Sequence, residues 1–204
     1  MSEAPPRRMD QRMGRRILIL LGHPDPAPER LCRALAEAYA EGARSAGHDV
    51  RLIDLAKLDF TLLRTKDEFE KSAPSAVIKQ AQDDMVWAQH LVIIYPLWLG
   101  TMPALLKGFF EQVGRPGFAF ETKGPGWKKA LLKGRSARIV VTMGMPALAY
   151  RFYFGAHSLK SLERNILGFI GISPIRETLI GLVEMKGKGK ASVERLRALG
   201  AQAG

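Results

Sequence analysis

Three stretches of the chain carry side chains whose types and spacing could do chemistry. The first is Gly22 to Pro28, a proline-rich loop containing His23, which runs into Glu29, Arg30 and Leu31. A helix starting there would offer free amides and about half a positive charge from its dipole, a combination that favours an anion. Amides near Glu29, Arg30 and Leu31 would hold a phosphate, and Arg30 would add charge. His23 would serve either as a hydrogen-bond donor or as part of the turn. The second stretch reads Pro96-Leu97-Trp98-Leu99-Gly100-Thr101-Met102-Pro103. An apolar loop with spare amides can support the face of an aromatic ring and bond its polar edge, and Trp98 offers a stacking surface. Trp98, Leu99 and Met102 would equally suit a plug for the domain or a contact between copies. The third stretch holds Thr142, Met143, Gly144, Met145 and Pro146, then Tyr150 and His157. A phenol and an imidazole beside a flat redox group can donate to an oxygen gaining charge, and histidine titrates near neutrality. Phe152, Tyr153 and Phe154 compete with Tyr150 for that place, and all of them would fit a core or an interface as well.

The hydrophobic pattern supplies elements to position these loops. Ile17 to Leu21 and Leu91 to Tyr95 are continuous apolar runs of strand length, expected for strands buried on both faces. Glu29 to Gly47 has helical spacing, with Leu31, Leu35, Ala38, Tyr39 and Gly42 on one side and Gly47 as a C-terminal glycine. Asp49 to Leu55 reads as a strand, Phe60 to Pro74 as an irregular connection, and Ser75 to His90 as a helix. Pro96 ends the third strand, and Pro103 opens a helix whose apolar face is Leu105, Leu106, Phe109, Phe110 and Val113. Arg115 to Arg135, with Phe118, Phe120 and Trp127, is a long loop. Ala137 to Met143, Leu159 to Phe169, Ile175 to Val183 and Ser192 to Leu199 continue as strand, helix, strand and helix. Such alternation predicts an α/β three-layer sandwich around a five-stranded parallel sheet of order 2-1-3-4-5. Ligands of that architecture bind past the strand C-termini, between strands one and three. The three chemistry-bearing stretches are the loops at that edge.

The chain has 204 residues and a formal net charge of +11, from 31 Lys and Arg against 20 Asp and Glu. That balance attracts anionic ligands without choosing among them. No zinc-finger spacing or aromatic RNA-binding motif accompanies it, so nucleic acid is not expected as the main ligand. Met1 to Arg16, with two prolines and five arginines, reads as a disordered basic tail ahead of one domain over residues 17–204. The one cysteine, Cys32, excludes an internal disulfide framework and a cysteine-rich metal site, and fits a reducing cytoplasm. No apolar run reaches the roughly 20 residues of a membrane span. Neither a Gly-x-Gly-x-x-Gly nor a Gly-Lys-Ser/Thr phosphate loop is present.

The run YPLWLGTMPALLKGFFEQVGRPGFAF, over Tyr95 to Phe120, resembles the signature of flavodoxin-like NAD(P)H:quinone reductases. ILILLGHPDP is similar to that family's first strand and phosphate loop, VVTMGMPALAYRFYFGAH to its third flavin loop, and LERNILGFIGISPIRETLIG to its last helix and strand. The resemblance implies FMN or FAD held across the three loops. It further implies hydride transfer from NADH or NADPH to the flavin and on to a quinone-like acceptor in the same site. It matches His23 to the phosphate-loop histidine. Pro96, Leu97, Trp98, Leu99 and Gly100 fall on the second flavin loop, and Thr142, Met143 and Gly144 on the third. Tyr150 falls on the active-site tyrosine, and His157 falls close to the active-site histidine, at a spacing one residue longer. A homodimer is implied, with Phe118 to Trp127 and the Tyr150 region near its interface. Some relatives are ancillary subunits of potassium-efflux systems, and the basic tail is compatible with such a membrane-surface role. Two departures stand out. Ala27-Pro28-Glu29-Arg30 lacks the usual Ser or Thr before the first helix, so phosphate binding leans on amides, His23 and Arg30. Met143-Gly144-Met145-Pro146 is bulkier than the usual Thr-Gly-Gly and would alter which acceptor fits.

Overall fold

The computed structural model of the chain describes residues 14–120 and 130–203. In chain order its elements are β1 (Arg16–Leu21), α1 (Leu31–Ser45), β2 (Asp49–Asp54), α2 (Lys66–Glu70), α3 (Ala76–Trp87), β3 (His90–Pro96), α4 (Ala104–Val113), β4 (Ser136–Thr142), α5 (His157–Ser161), β5 (Ile175–Ile180) and α6 (Lys188–Gln202). All strand pairings are parallel, in the order β2-β1-β3-β4-β5. The fold class and strand order expected from the alternation are those observed. β3 is buried along its whole length and β1 and β4 nearly so, while the edge strands β2 and β5 are partly exposed. This is why the central strands read as unbroken apolar runs.

Side-chain alternation divides the core. Ile17, Ile19, Leu21, Val92, Ile94 and Val140 point to one face, where Leu35 and Tyr39 of α1 and Leu196 of α6 cover them. Leu18, Leu20, Ile93, Tyr95, Ile139 and Val141 point to the other, under Ile78 and Met85 of α3, Leu106 and Phe109 of α4, and Leu159 of α5. Each such side chain contributes about 1.5–3 kcal/mol on burial. The order reverses between β1 and β3, so the chain leaving β1 heads for β2 and the chain leaving β3 for β4, and ligands of this architecture bind between the two diverging connections.

Several boundaries differ from the sequence reading. The connection over Phe60 to Pro74 contains α2, too short for helical periodicity to register. Its signal is the pair Thr65 and Glu68: Thr65 Oγ1 accepts from the Glu68 amide at 3.1 Å, and Glu68 Oε2 accepts from the Arg64 amide at 2.8 Å. β5 stops at Ile180, because Gly181 and then Leu182, at φ 57°, turn the chain toward α6, which begins one turn earlier than expected. The third loop holds π-helical turns at Ala149–Tyr153, and α5 continues as π-helical turns over Leu162–Gly168. Residues 1–13 of the expected basic tail, and Trp127 of the long loop, lie outside the described residues. Arg15 and Arg16 belong to the domain: the Arg15 amide donates to His48 Nδ1 at 3.1 Å, and Arg16 opens β1.

Candidate functional site

The first loop leaves β1 beside β3, with the Gly22 amide donating to Ile94 O at 2.7 Å. His23 Nδ1 accepts from the Asp25 amide at 3.1 Å, Asp25 Oδ1 accepts from the Ala27 amide at 2.9 Å, and Asp25 Oδ2 takes Arg30 Nε at 2.6 Å. Burial pulls the His23 pKa down; Asp25 opposes this, and Arg30 and Arg33 reinforce it. The ring is therefore neutral near pH 7, and with Nδ1 accepting, its proton sits on Nε2. α1 starts with extended Arg30 at its N-cap, no side-chain cap and no acidic residue in its first turn. Such a helix start leaves its first amides without a side-chain partner, and an anion can complete it.

Of the three amides expected there, that of Arg30 turns into the loop, donating to Ala27 O at 3.3 Å. The Arg30 guanidinium is held by Asp25, and Glu29 is exposed. A residue the motif reading passed over lies one turn on. Arg33 Nη1 donates to Asp54 Oδ2 at 2.8 Å, with both side chains about one-tenth exposed, joining α1 to the end of β2. Burial alone would raise the Asp54 pKa, but Arg33 and Lys57 outweigh it and hold the carboxyl below its usual range.

The second loop is a two-residue turn. Trp98 and Thr101 exchange both backbone hydrogen bonds, N to O at 2.9 and 3.0 Å, with Leu99 at φ 46° and Gly100 at φ 78° between them. Two left-handed residues make the mirror-image turn that joins antiparallel strands, and glycine takes that conformation freely. Leu99 does so under strain of about 1–2 kcal/mol, with its side chain fully exposed. Strain kept at an exposed leucine marks a turn whose backbone matters. The Trp98 ring meets His23 edge to face, centroids 5.6 Å apart, which ties the second loop to the first. The Leu97 amide donates to Thr142 O at 2.8 Å, which ties it to the third.

The third loop is stitched to the segment after β5. The Met143 amide donates to Ile180 O at 2.9 Å, and Met143 O accepts from the Val183 amide at 3.3 Å. Thr142 and Met143 are buried, while Gly144 is exposed, with Glu184 Oε1 3.9 Å from where a Cβ would stand. Cys32 Sγ lies 3.3 Å from Thr142 Oγ1, so the buried thiol links the first turn of α1 to the third loop. Nothing in the spacing of Cys32 and Thr142 signals this contact. Burial pushes the Cys32 thiol up to about 11, so it stays protonated.

Tyr150 and His157 part company. Tyr150 is 2% exposed, and its hydroxyl bonds Ser158 Oγ at 2.8 Å and accepts from the Leu159 amide at 3.3 Å. His157 is exposed at the start of α5, after Gly155 and Ala156 in left-handed conformations. Ser158, not Tyr150, reaches an apolar groove of ≈ 470 Å³ beside the second loop, walled by Trp98, Met102, Pro103, Lys107, Ser158 and Ile166. Phe152, Tyr153 and Phe154, the other aromatic candidates, are exposed together with Leu148.

Comparison with known proteins bears on this arrangement. A family described as "Flavodoxin-like fold" matches residues 15–202. The chain is 27% identical over 184 residues to a Haemophilus influenzae protein named as an uncharacterized NAD(P)H oxidoreductase, covering 87% of this chain and 90% of that one. It is 26% identical over 179 residues to an FMN-dependent NADH:quinone oxidoreductase of Nitratidesulfovibrio vulgaris, covering 81% and 84%. Smu.1420 from Streptococcus mutans superposes with a TM-score of 0.72 at 26% identity, covering 92% of this chain and 99% of that one. The NAD(P)H:quinone oxidoreductase from Methanothermobacter marburgensis does so at 0.77 and 22% identity, covering 93% and 96%, a likeness of fold alone. With a five-stranded parallel sheet of order 2-1-3-4-5, three loops joined at its C-terminal edge, and a family match running through nearly the whole chain, this protein belongs to the flavodoxin-like fold family.

Proposed function

We propose that the chain is a flavin-dependent NAD(P)H oxidoreductase that passes reducing equivalents to a quinone or a similar small acceptor. One observation carries the reading: the three loops at the C-terminal edge of the sheet are joined to one another, through His23 against Trp98, Leu97 to Thr142, and Cys32 at the start of α1 to Thr142. The named relatives are oxidoreductases, which favours this reading over an ancillary membrane subunit. The residues fit a flavin mononucleotide, the cofactor in the name of the Nitratidesulfovibrio relative. The uncapped, acid-free start of α1 and the Nε2–H of His23 suit its phosphate. The open backbone at Gly100 and the exposed Gly144 leave room for a flat ring. When bound, the flavin supplies the hydride chemistry.

The chain's own residues would hold, dry and orient. The amides of Glu29 and Leu31, with Arg30 held beside them by Asp25, would meet the anion end; Pro96 to Gly100 and Thr142 to Gly144 would flank the ring. The groove of Trp98, Met102 and Pro103 excludes water around the acceptor. Tyr150 is a positioning residue in this scheme. Its oxygen accepts from the Leu159 amide, and the scheme assigns its proton to Ser158 Oγ, which leaves the Ser158 proton for an acceptor oxygen in the groove. His157, exposed nearby, is a second donor. Exposed Leu148, Phe152, Tyr153 and Phe154 form an apolar surface suited to a second copy of the chain, and a homodimer is part of the proposal. Cytoplasmic residence belongs to it too; among the described residues no helix is long and apolar enough to cross a membrane. The test is to purify the chain and titrate it with FMN and FAD. Oxidation of NADH and NADPH is then followed with a panel of quinones. Stoichiometric flavin uptake and acceptor-dependent oxidation are expected; no uptake at saturating flavin nucleotide refutes the reading.

A further inference from the structure

At the amino edge of the sheet, opposite the crevice, basic side chains gather around a buried imidazole. His90 opens β3 and pairs in register with Ser136, which opens β4. His90 is 1% exposed. It shares the wall of a small opening, ≈ 150 Å³, with Arg15, Ser136 and Arg176. Arg15 Nη2 donates to Ser136 Oγ at 2.9 Å, which leaves the serine's own proton free to go to His90 Nδ1, at 2.8 Å. Burial, then the charges of Arg15, Arg138 and Arg176, keep the ring neutral, with a pKa of about 3. A neutral ring accepting at Nδ1 carries its hydrogen on Nε2.

That Nε2 is buried and bonds no acceptor. A buried donor left so is rare and costs about 1–3 kcal/mol. Arg15 gives its Nη1 to Ala203 O at 2.6 Å, yet among the described residues neither Arg15 nor Arg176 has a carboxylate within 4.0 Å. Arg138, beside Arg176 in register, donates to Thr178 Oγ1 at 2.8 Å. The opening thus collects two guanidinium groups and one N–H donor, and its walls include no acidic residue.

We propose that this opening is a second ligand site, distinct from the flavin crevice, for a small oxyanion of phosphate type held by Arg176, Arg15 and His90 Nε2–H. Guanidinium forks match the oxygens of such groups, and the imidazole N–H supplies the third bond. The site lies where β1, β3, β4 and β5 begin, so its occupant stabilises the sheet from the end away from the chemistry.

The experiment uses FMN-loaded protein, wild type and Arg176→Gln, titrated with inorganic phosphate at constant ionic strength. Flavin absorbance checks that FMN stays bound. Arg176 is exposed, so the variant is expected to fold. The expected result is a saturable rise in Tm in the wild type, with half-saturation shifted by about tenfold or more in the variant, as one charge-assisted hydrogen bond is lost. A parallel arm with a phosphate monoester separates a free ion from a phosphorylated metabolite, either supporting the site if its effect depends on Arg176. An equal response in both proteins, or no saturation, overturns the proposal. Should the chain take up no FMN, the same pair titrated without flavin still decides the matter.

Discussion

Replacing Gly200 by Ala sets two physical effects against each other. In a helix interior alanine is favoured over glycine by about 1 kcal/mol, so α6 on its own would be stabilised. The packing of α6 on α1 reverses the sign. A Cβ at Gly200 would lie 2.1 Å from Tyr39 O and 2.9 Å from its carbonyl carbon, and one at Gly42 would lie 1.9 Å from Arg197 O. Carbon approaches a carbonyl oxygen to about 3.3 Å, so the helices must part by roughly 1 Å. The obstacle is backbone, which cannot swing aside. Overpacking of this kind costs about 1–3 kcal/mol or more, and Leu35, Tyr39 and Leu196 lose contacts as the helices part. Toward the upper end of that range, the net is a loss of about 2 kcal/mol after the propensity gain, lowering Tm by roughly 4–8 °C. Gly189→Ala is the internal control on the same helix, since its Cβ would meet Leu31 Cδ1 at an ordinary 3.6 Å. It is expected to be neutral or stabilising by up to about 1 kcal/mol. Urea unfolding of both variants measures the difference. If Gly200→Ala proves as stable as the wild type, the close approach of α1 and α6 is wrong, and with it the placement of the α1 N-terminus at the crevice.

Other substitutions probe the site. Tyr150→Phe leaves the buried Leu159 amide without its acceptor and frees Ser158, with a stability loss of about 1–2 kcal/mol in urea titration. Its turnover is expected to fall by about tenfold with FMN affinity unchanged, less than the roughly hundredfold loss expected for Ser158→Ala as direct donor; equal kcat values for both variants and the wild type would remove the relay. Leu99→Gly relieves left-handed strain of about 1–2 kcal/mol against a glycine entropy cost of about 0.5–1 kcal/mol, so a net gain of up to about 1 kcal/mol should appear as a higher Tm. Stability should also depend on pH through His90. Its folded pKa, about 3, lies below the ordinary 6.5, so the unfolded chain binds a proton that the folded one does not. Stability from this group is complete above pH 6.5 and falls by about 1.4 kcal/mol per unit as pH drops toward 3. Urea midpoints in phosphate-free buffer at pH 7, 6 and 5 should show that slope in the wild type and a flatter one in His90→Asn; identical slopes would contradict the burial argument.

Strand and helix alternation, the central position of β1, β3 and β4, and the three loops at the sheet reversal were all determined by the sequence alone. The reason is local: unbroken apolar runs mark strands covered on both faces, and Pro96, Pro103 and Gly47 punctuate the chain without help from distant residues. What those loops do to one another was decided by the tertiary structure. Tyr150 falls on a motif position, but a motif carries no side-chain direction, and the turns at Ala149–Tyr153 bury its hydroxyl behind Ser158. Arg30 reads as a free charge, yet Asp25, five residues away, holds it. Cys32 meets Thr142 across 110 residues, and His90 meets Ser136 across 46. Contacts over such separations arise only when the sheet sets its strands side by side, and periodicity along the chain holds no record of them.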